Sequence, residues 1–234
     1  MIIAANQPYF CPFPGFFYKI QLCDIFVILD DVQFPQGTTW ITRNRFKNDH
    51  GTLWITVPVW KKGLGLQRIS DVKICHEDRW QKKHTESLRS AYVHAPYFVE
   101  HFEFLKEIFS STHQTILECN LEITEYLVKL LKIETKILLM SELGINARGN
   151  DLLIEVCKTL GGSGFLAQSA AEKYIDDEQF KAAGIRLDYF RYTSPIYPQL
   201  WGDFIPNLSA FDLIFNCGPK ARDILLGSAS ARAE

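Results

Sequence analysis

Two short apolar runs near the start of the chain, 1–5 and 25–29, each break at once into polar residues. Asn6-Gln7 follow the first and Asp30-Asp31 the second. Between them, 14–23 opens on Pro14-Gly15 and carries Phe16, Phe17, Ile20 and Leu22 at a helical spacing. The pattern predicts a strand, a helix and a second strand, long enough for a right-handed crossover between parallel neighbours. Ligands of open α/β sheets sit outside the carboxyl ends of the strands. Asn6, Gln7, Asp30 and Asp31 would fall there.

The rest of the chain continues in both periods. Pro35 and Gly37 mark 32–37 as a loop, and 40–47 with 52–57 reads as a hairpin around a four-residue turn at 48–51. The basic loop 61–65 contains Gly63-Leu64-Gly65, but no helix pattern opens there to make it a phosphate cradle. A further short strand is expected over 69–74. In the helical middle, Asp78 is expected to cap a helix through Trp80, His84, Leu88 and Tyr92 that stops before Pro96. A second helix covers 97–109. Asn120 is expected to cap a third, with Ile123, Leu127 and Leu130 on one stripe. Then follow a strand at 135–140, a helix from an Asn150 cap to the Gly161-Gly162 stop, and a buried strand at 164–167. A small helix at 178–183, a strand at 185–192 and a helix at 209–218 complete the pattern. The expected fold is α/β: a mixed sheet with flanking helices, a strand–helix–strand opening unit and an additional helical middle segment. No repeat or linker divides it, so one domain is expected over 1–226, with 227–234 as a frayed tail.

Composition narrows the class. With 47% hydrophobic and 22% charged residues, the 234-residue chain reads as a globular protein with a sizeable core. A formal net charge of −2 offers no global field for nucleic acid or an anionic membrane. No apolar stretch approaches the roughly 18–20 residues of a membrane span, and the start lacks the basic and apolar regions of a secretory signal. A cytoplasmic location is therefore expected. The six cysteines contain no C-x-x-C pair and read as reduced, mostly buried thiols. The six histidines show no metal-ligand spacing, so no metal is expected. Neither a P-loop nor a dinucleotide fingerprint is present, and no cofactor is expected. Aromatic residues, at 13%, are frequent in loop stretches, where they either pack or offer stacking surface to a ligand ring.

Several residues carry candidate chemistry beside a plainer explanation. One of Asp30 and Asp31 reads as a turn cap and the other as a general base; alternation favours Asp31 sharing the face of Val27 and Leu29. Arg43 and Arg45 share one face of a strand, a spacing suited to bidentate capture of a carboxylate or phosphate, or simply a charged hairpin edge. His84 shares a stripe with Trp80 and reads either as an acid–base group or as a satisfied, half-buried histidine. Ser209 and Asp212 fit a capping box ahead of an apolar run, which explains both without chemistry.

These segments together resemble one family. The resemblance is carried by Gln7-Pro8-Tyr9, Pro14-Gly15-Phe16, Asp30-Asp31-Val32-Gln33-Phe34 and the stretch from Trp40 through Arg43-Asn44-Arg45. It continues through Trp54 to Pro58, Trp80 with His84, Tyr92, Ala95-Pro96-Tyr97-Phe98 and Tyr197-Pro198-Gln199, and closes with Gly202 to Gly218. On these residues the chain resembles the WbqC-like proteins over about residues 3–219. The resemblance implies a bacterial protein of surface-polysaccharide (O-antigen) or related sugar biosynthesis. It implies a transferase that moves an acyl or aminoacyl (glycyl) group to a sugar amine or hydroxyl. Two positions depart from the family pattern: Asn6 stands where a histidine is usual, and Phe165-Leu166-Ala167-Gln168 replaces Tyr-Leu-Ser-Gly. Without that histidine, acid–base work would pass to Asp31, Asp30 or His84. Gln7 and Gln33 would orient polar groups, Arg43, Asn44 and Arg45 would hold an anionic group, and Tyr97 and Tyr197 would offer stacking rings. The expected partner is a sugar or amino-acid-derived small molecule, with a carrier-linked donor as one option. The alternatives are a nucleotidyltransferase-like enzyme and a non-catalytic sugar-binding or scaffold protein.

Overall fold

The computed structural model describes residues 1–77 and 79–227. β1 (Ile2–Asn6), α1 (Pro14–Gln21) and β2 (Ile25–Ile28) form the opening unit, and β1 pairs with β2 in parallel from Ile3↔Ile25 to Asn6↔Ile28. β5 (Lys136–Leu139) pairs in parallel with β2 on one side. β6 (Gly164–Gln168) joins β1 on the other, and β7 (Arg186–Phe190) joins β6. The resulting sheet has the order β5-β2-β1-β6-β7 with every pairing parallel.

Such a sheet must be covered on both faces, which is why its inner strands β1, β2 and β6 read as nearly continuous apolar runs, whereas the edge strand β7 carries Arg186 and Asp188. Successive side chains alternate between two cores. Ala4, Phe26, Ile28 and Leu166 join one, packed by α1, by α4 (Ile116–Leu130) and by α7 (Ala210–Cys217). Ile3, Ala5, Val27, Phe165 and Ala167 join the other, covered by α5 (Gly149–Leu160) and α6 (Asp177–Ala182). The antiparallel strands expected for the hairpin are β3 (Arg43–Asn48) and β4 (Gly51–Thr56), which form a separate two-stranded ribbon. Pairing reaches Asn48↔Gly51, so Asp49-His50 alone make the loop, and Gly51 takes φ +103°, a conformation that suits glycine. Between the ribbon and β5 lie α2 (Trp80–Tyr92), α3 (Phe98–Ser110) and α4. After α7 the described chain ends in α8 (Ala221–Gly227).

Local signals were misplaced in four places. Residues 69–74 are not a strand: a 3-10 turn covers Ile69–Asp71, and Lys73 and Ile74 make only isolated bridges to Thr115 and Val59. Asn120 caps nothing. α4 begins earlier, at a capping box in which Thr115 accepts from the Glu118 amide while Glu118 accepts from the Thr115 amide. Asn120 instead lies inside that helix, fully buried, and donates to the carbonyls of Pro8 (2.9 Å) and Ile41 (2.8 Å), tying α4 to both loops. Asn150 sits in the first turn of α5, where the N-cap is Arg148, and accepts from the Asp176 amide at 3.3 Å. The capping role expected of Asp78 and the tail over 228–234 lie outside the described residues.

Ser209 does cap α7, accepting from the Phe211 amide at 3.3 Å. Asp212 does not complete the box. Its side chain is fully buried and accepts from the hydroxyls of Tyr92 (2.6 Å) and Tyr197 (2.8 Å), while Tyr92 Oη accepts from the Lys47 amide at 2.8 Å. Lys47, itself buried, donates its ammonium to Gln199 Oε1 (3.2 Å) and the Asp203 carbonyl (2.6 Å). This network fastens the ribbon to α2, α7 and the 197–205 loop.

Candidate functional site

The chain leaves β1 toward β2 by way of α1 on one face of the sheet, and leaves β6 toward β7 by way of α6 on the other. The adjacent carboxyl ends of β1 and β6 are thus a topological switch point, where doubly wound sheets open a crevice. Two cavities flank it.

The larger, of about 500 Å³, is lined by Gln7 after β1, by Asp31 and Gln33 after β2, and by Arg148 and Gly149 at the start of α5. Arg68 completes it. Backbone bonds from Phe34 to Gln67 (2.9 Å) and from Ile69 to Val32 (3.0 Å) zip the two loops together. They bring Arg68 Nη1 to donate to Asp31 Oδ1 at 2.7 Å. Arg68 and Arg148 outnumber Asp31 in the lining, and among the described residues no side chain caps α5, whose first-turn amides face the cavity rim at Arg148 and Gly149 while Asp151 in the same turn offsets part of their charge.

The second cavity, of about 290 Å³, lies beside Tyr9, two residues beyond Gln7, and beside Gln168 at the end of β6. Trp40, Arg45 and Tyr192 line it as well.

The remaining expected residues divide by environment. Asp30 is buried and accepts from the Ser141 amide (3.0 Å) and hydroxyl (2.6 Å), holding the turn after β5 to the end of β2. Asn44 lines the second cavity, yet its amide group donates to the carbonyls of Phe10 and Cys11, each at 2.9 Å. Arg43 lies 3.5 Å over the Trp54 ring. The Tyr97 ring packs against Gly218, 2.5 Å from where a Cβ would stand, and Tyr197 belongs to the Asp212 network. Asn6 donates to the Gln7 carbonyl at 3.0 Å.

His84 shares its helix face with Trp80, 5.6 Å between ring centroids, and its Nε2 hydrogen bonds to the Thr56 carbonyl at 2.7 Å. It lines neither cavity. Burial holds its pKa below the ordinary 6.5. Folding therefore favours the neutral ring, and this contribution to stability is complete above pH 6.5 and is lost as pH falls toward the lowered value. Unfolding free energies measured by denaturant titration should decline below that pH, and His84→Gln should make the decline shallower. An unchanged acid slope in the variant would contradict this role.

Arg68, Arg148, Tyr9 and Tyr192 were not singled out from the sequence. The two arginines come from irregular loops, with no periodicity to mark them. Tyr9 was visible only as part of the Gln7-Pro8-Tyr9 motif. A further Ser–His–Glu arrangement joins α3 to α4: Ser111 Oγ contacts His113 Nδ1, and His113 Nε2 lies 2.7 Å from Glu122. Ser111 Oγ also donates to the Ile108 carbonyl at 2.8 Å, and the group closes the turn outside both cavities.

Strand order and the crevice at its point of reversal define a doubly wound α/β protein. Within that class the chain belongs to the WbqC-like protein family, whose match spans residues 7–224. It is 32% identical over 225 residues to the uncharacterized protein Rv1507c of Mycobacterium tuberculosis (strain ATCC 25618 / H37Rv), covering 95% of this chain and 96% of that one. No solved structure matches it. Among the described residues, no helix is long and apolar enough to cross a membrane.

Proposed function

We propose that this protein is a transferase of sugar metabolism that moves an acyl or aminoacyl group, glycyl in its simplest form, onto a sugar amine or hydroxyl. The observation that carries the reading is the gathering of Gln7, Asp31 and Gln33 from adjacent strand ends into one cavity with two guanidinium groups. Asp31 takes the proton of the acceptor as its nitrogen or oxygen attacks the acyl carbon. The new C–N or C–O bond forms as the bond to the donor's carrier breaks. The carrier leaves with that electron pair and receives the proton. Arg68 holds the Asp31 carboxylate in place, and Arg148 with the α5 amides favours an anionic donor group or the developing oxyanion. Gln7 and Gln33 offer both donors and acceptors to sugar hydroxyls. Membership of the WbqC-like family supports the sugar context through the resemblance set out above.

The test supplies free and nucleotide-linked amino sugars with activated glycyl and acetyl donors, and follows products by mass spectrometry. A new amide or ester on the sugar is expected. Sugar binding without product from any donor would make the protein a binding module instead.

A further inference from the structure

The second cavity differs in kind from the first. Tyr9, Phe13, Trp40 and Tyr192 supply ring surface, Arg45 supplies a cation, Gln168 supplies an amide at the end of β6, and among the described residues no carboxylate lines it.

The walls are built. Phe13 and Tyr192 pack edge-on, 5.9 Å between centroids at 68°, and a Cβ at Gly15 would stand 2.6 Å from the Tyr192 ring. Glycine in the first turn of α1 therefore leaves the space those two rings occupy. Trp40 is backed by Trp54 at 5.7 Å and 28°, which in turn carries the Arg43 guanidinium. One face of the Trp40 indole is thus committed to the stack, yet 41% of the residue stays exposed. Arg45 lies 5.9 Å from the Trp40 centroid and is anchored by Nη2, which donates to the carbonyls of Pro206 (3.3 Å) and Asn207 (2.9 Å). Among the described residues, the buried Tyr192 hydroxyl and Arg45 Nε have no protein partner. Both carry unmet hydrogen-bonding capacity in the cavity wall, which a bound polar group can satisfy once the wall rings shift.

Ring walls select a flat ring. A guanidinium unopposed by a carboxylate selects an anion, and an amide that can donate and accept suits the polar edge of a base. A neutral sugar presents many hydroxyl donors, and a cavity without a carboxylate gives them no charged acceptor. We propose that this cavity is a nucleotide subsite, in which the base stacks among the rings and the phosphate rests on Arg45. That the nucleotide belongs to a transfer substrate rests on the reading above. It has two possible sources, the carrier of an activated sugar and the adenine nucleotide of an acyl adenylate or acyl thioester carrier.

Calorimetric titration of the full chain with UDP, GDP, AMP and coenzyme A, beside glucosamine and inorganic phosphate, tests the assignment. At least one nucleotide should bind, with glucosamine and phosphate far weaker. Trp40→Leu should weaken that nucleotide about tenfold or more, the scale of one lost base–ring stack. Arg45→Lys should weaken it as well, because the planar fork is lost. Tyr192→Phe keeps the ring and should weaken it about threefold, which gives a readout should Trp40→Leu fail to fold. Preference for UDP or GDP identifies the sugar carrier, and preference for AMP or coenzyme A identifies the acyl donor. Absence of nucleotide binding, glucosamine bound as tightly as any nucleotide, or nucleotide affinity unchanged in the folded variants would overturn the subsite. Transfer to a free sugar without nucleotide binding would leave the transferase reading standing, and nucleotide binding without transfer would leave the subsite standing alone.

Discussion

Asp212→Ala is expected to destabilise the protein by about 4 kcal/mol, because it strands two buried tyrosine hydroxyls at roughly 1–3 kcal/mol each. For a chain of this size that lowers the melting temperature by roughly 8–16 °C. The effect is large because Asp212 accepts from Tyr92 and Tyr197 at once, and Tyr92 in turn holds the Lys47 amide of β3. Asp212→Asn should cost less, since its amide still offers one acceptor, and a tyrosine can turn to accept from its nitrogen. The two variants also differ in pH response. Burial holds the Asp212 carboxyl above its ordinary 3.8, although the tyrosine hydroxyls and the Lys47 charge oppose the rise. The folded state thus binds this proton more tightly than the unfolded chain. Its contribution is greatest below 3.8 and is lost as pH rises through the elevated range, a slope that Asp212→Asn should lack. Melting curves of the variants across that range decide it. Equal stability of Asp212→Ala and the natural protein would show that the network holds nothing together.

Asp31→Asn should lower the rate of transfer by ~10²-fold or more, the scale of losing a positioned general base. Stability should hardly change. Asp31 pairs with an Arg68 that is 64% exposed, and such an ion pair is worth at most about 1 kcal/mol. Asp30→Asn should behave in the opposite way. Its carboxylate serves Ser141 inside the protein, and an amide nitrogen facing that donor should cost about 1–3 kcal/mol with little direct effect on chemistry. Two adjacent carboxylates, alike in the sequence, are thus expected to separate in these two measurements.

Alternation put Asp31 on the face of Val27 and Leu29 without deciding which carboxylate faces a cleft, and the strand–helix–strand unit was legible because its apolar runs and helical spacing were clean. What could not be read were partners joined by distant pairing. Arg68 reaches Asp31 only because 32–34 runs beside 67–69. Tyr192 reaches Tyr9 and Trp40 only once β7 has docked beside β6. Capping was misread where two polar residues competed. Thr115 with Glu118 outweighs Asn120 because the box satisfies two amides reciprocally, which frees Asn120 to bridge two loops. Asp212 fitted the same box by spacing alone. Burial, which spacing does not report, turned it toward Tyr92 and Tyr197.

The central claim is that the larger cavity, at the carboxyl ends of β1 and β2, does the chemistry, with Asp31 as its base. Single-turnover transfer rates of the natural protein, Asp31→Asn and Asp30→Asn, each beside its melting curve, test it most directly. The account predicts a rate loss of ~10²-fold or more with an unchanged melting temperature for Asp31→Asn, and a lowered melting temperature with a largely retained rate for Asp30→Asn. A natural rate in the folded Asp31→Asn variant would contradict it and move the chemistry away from this strand end.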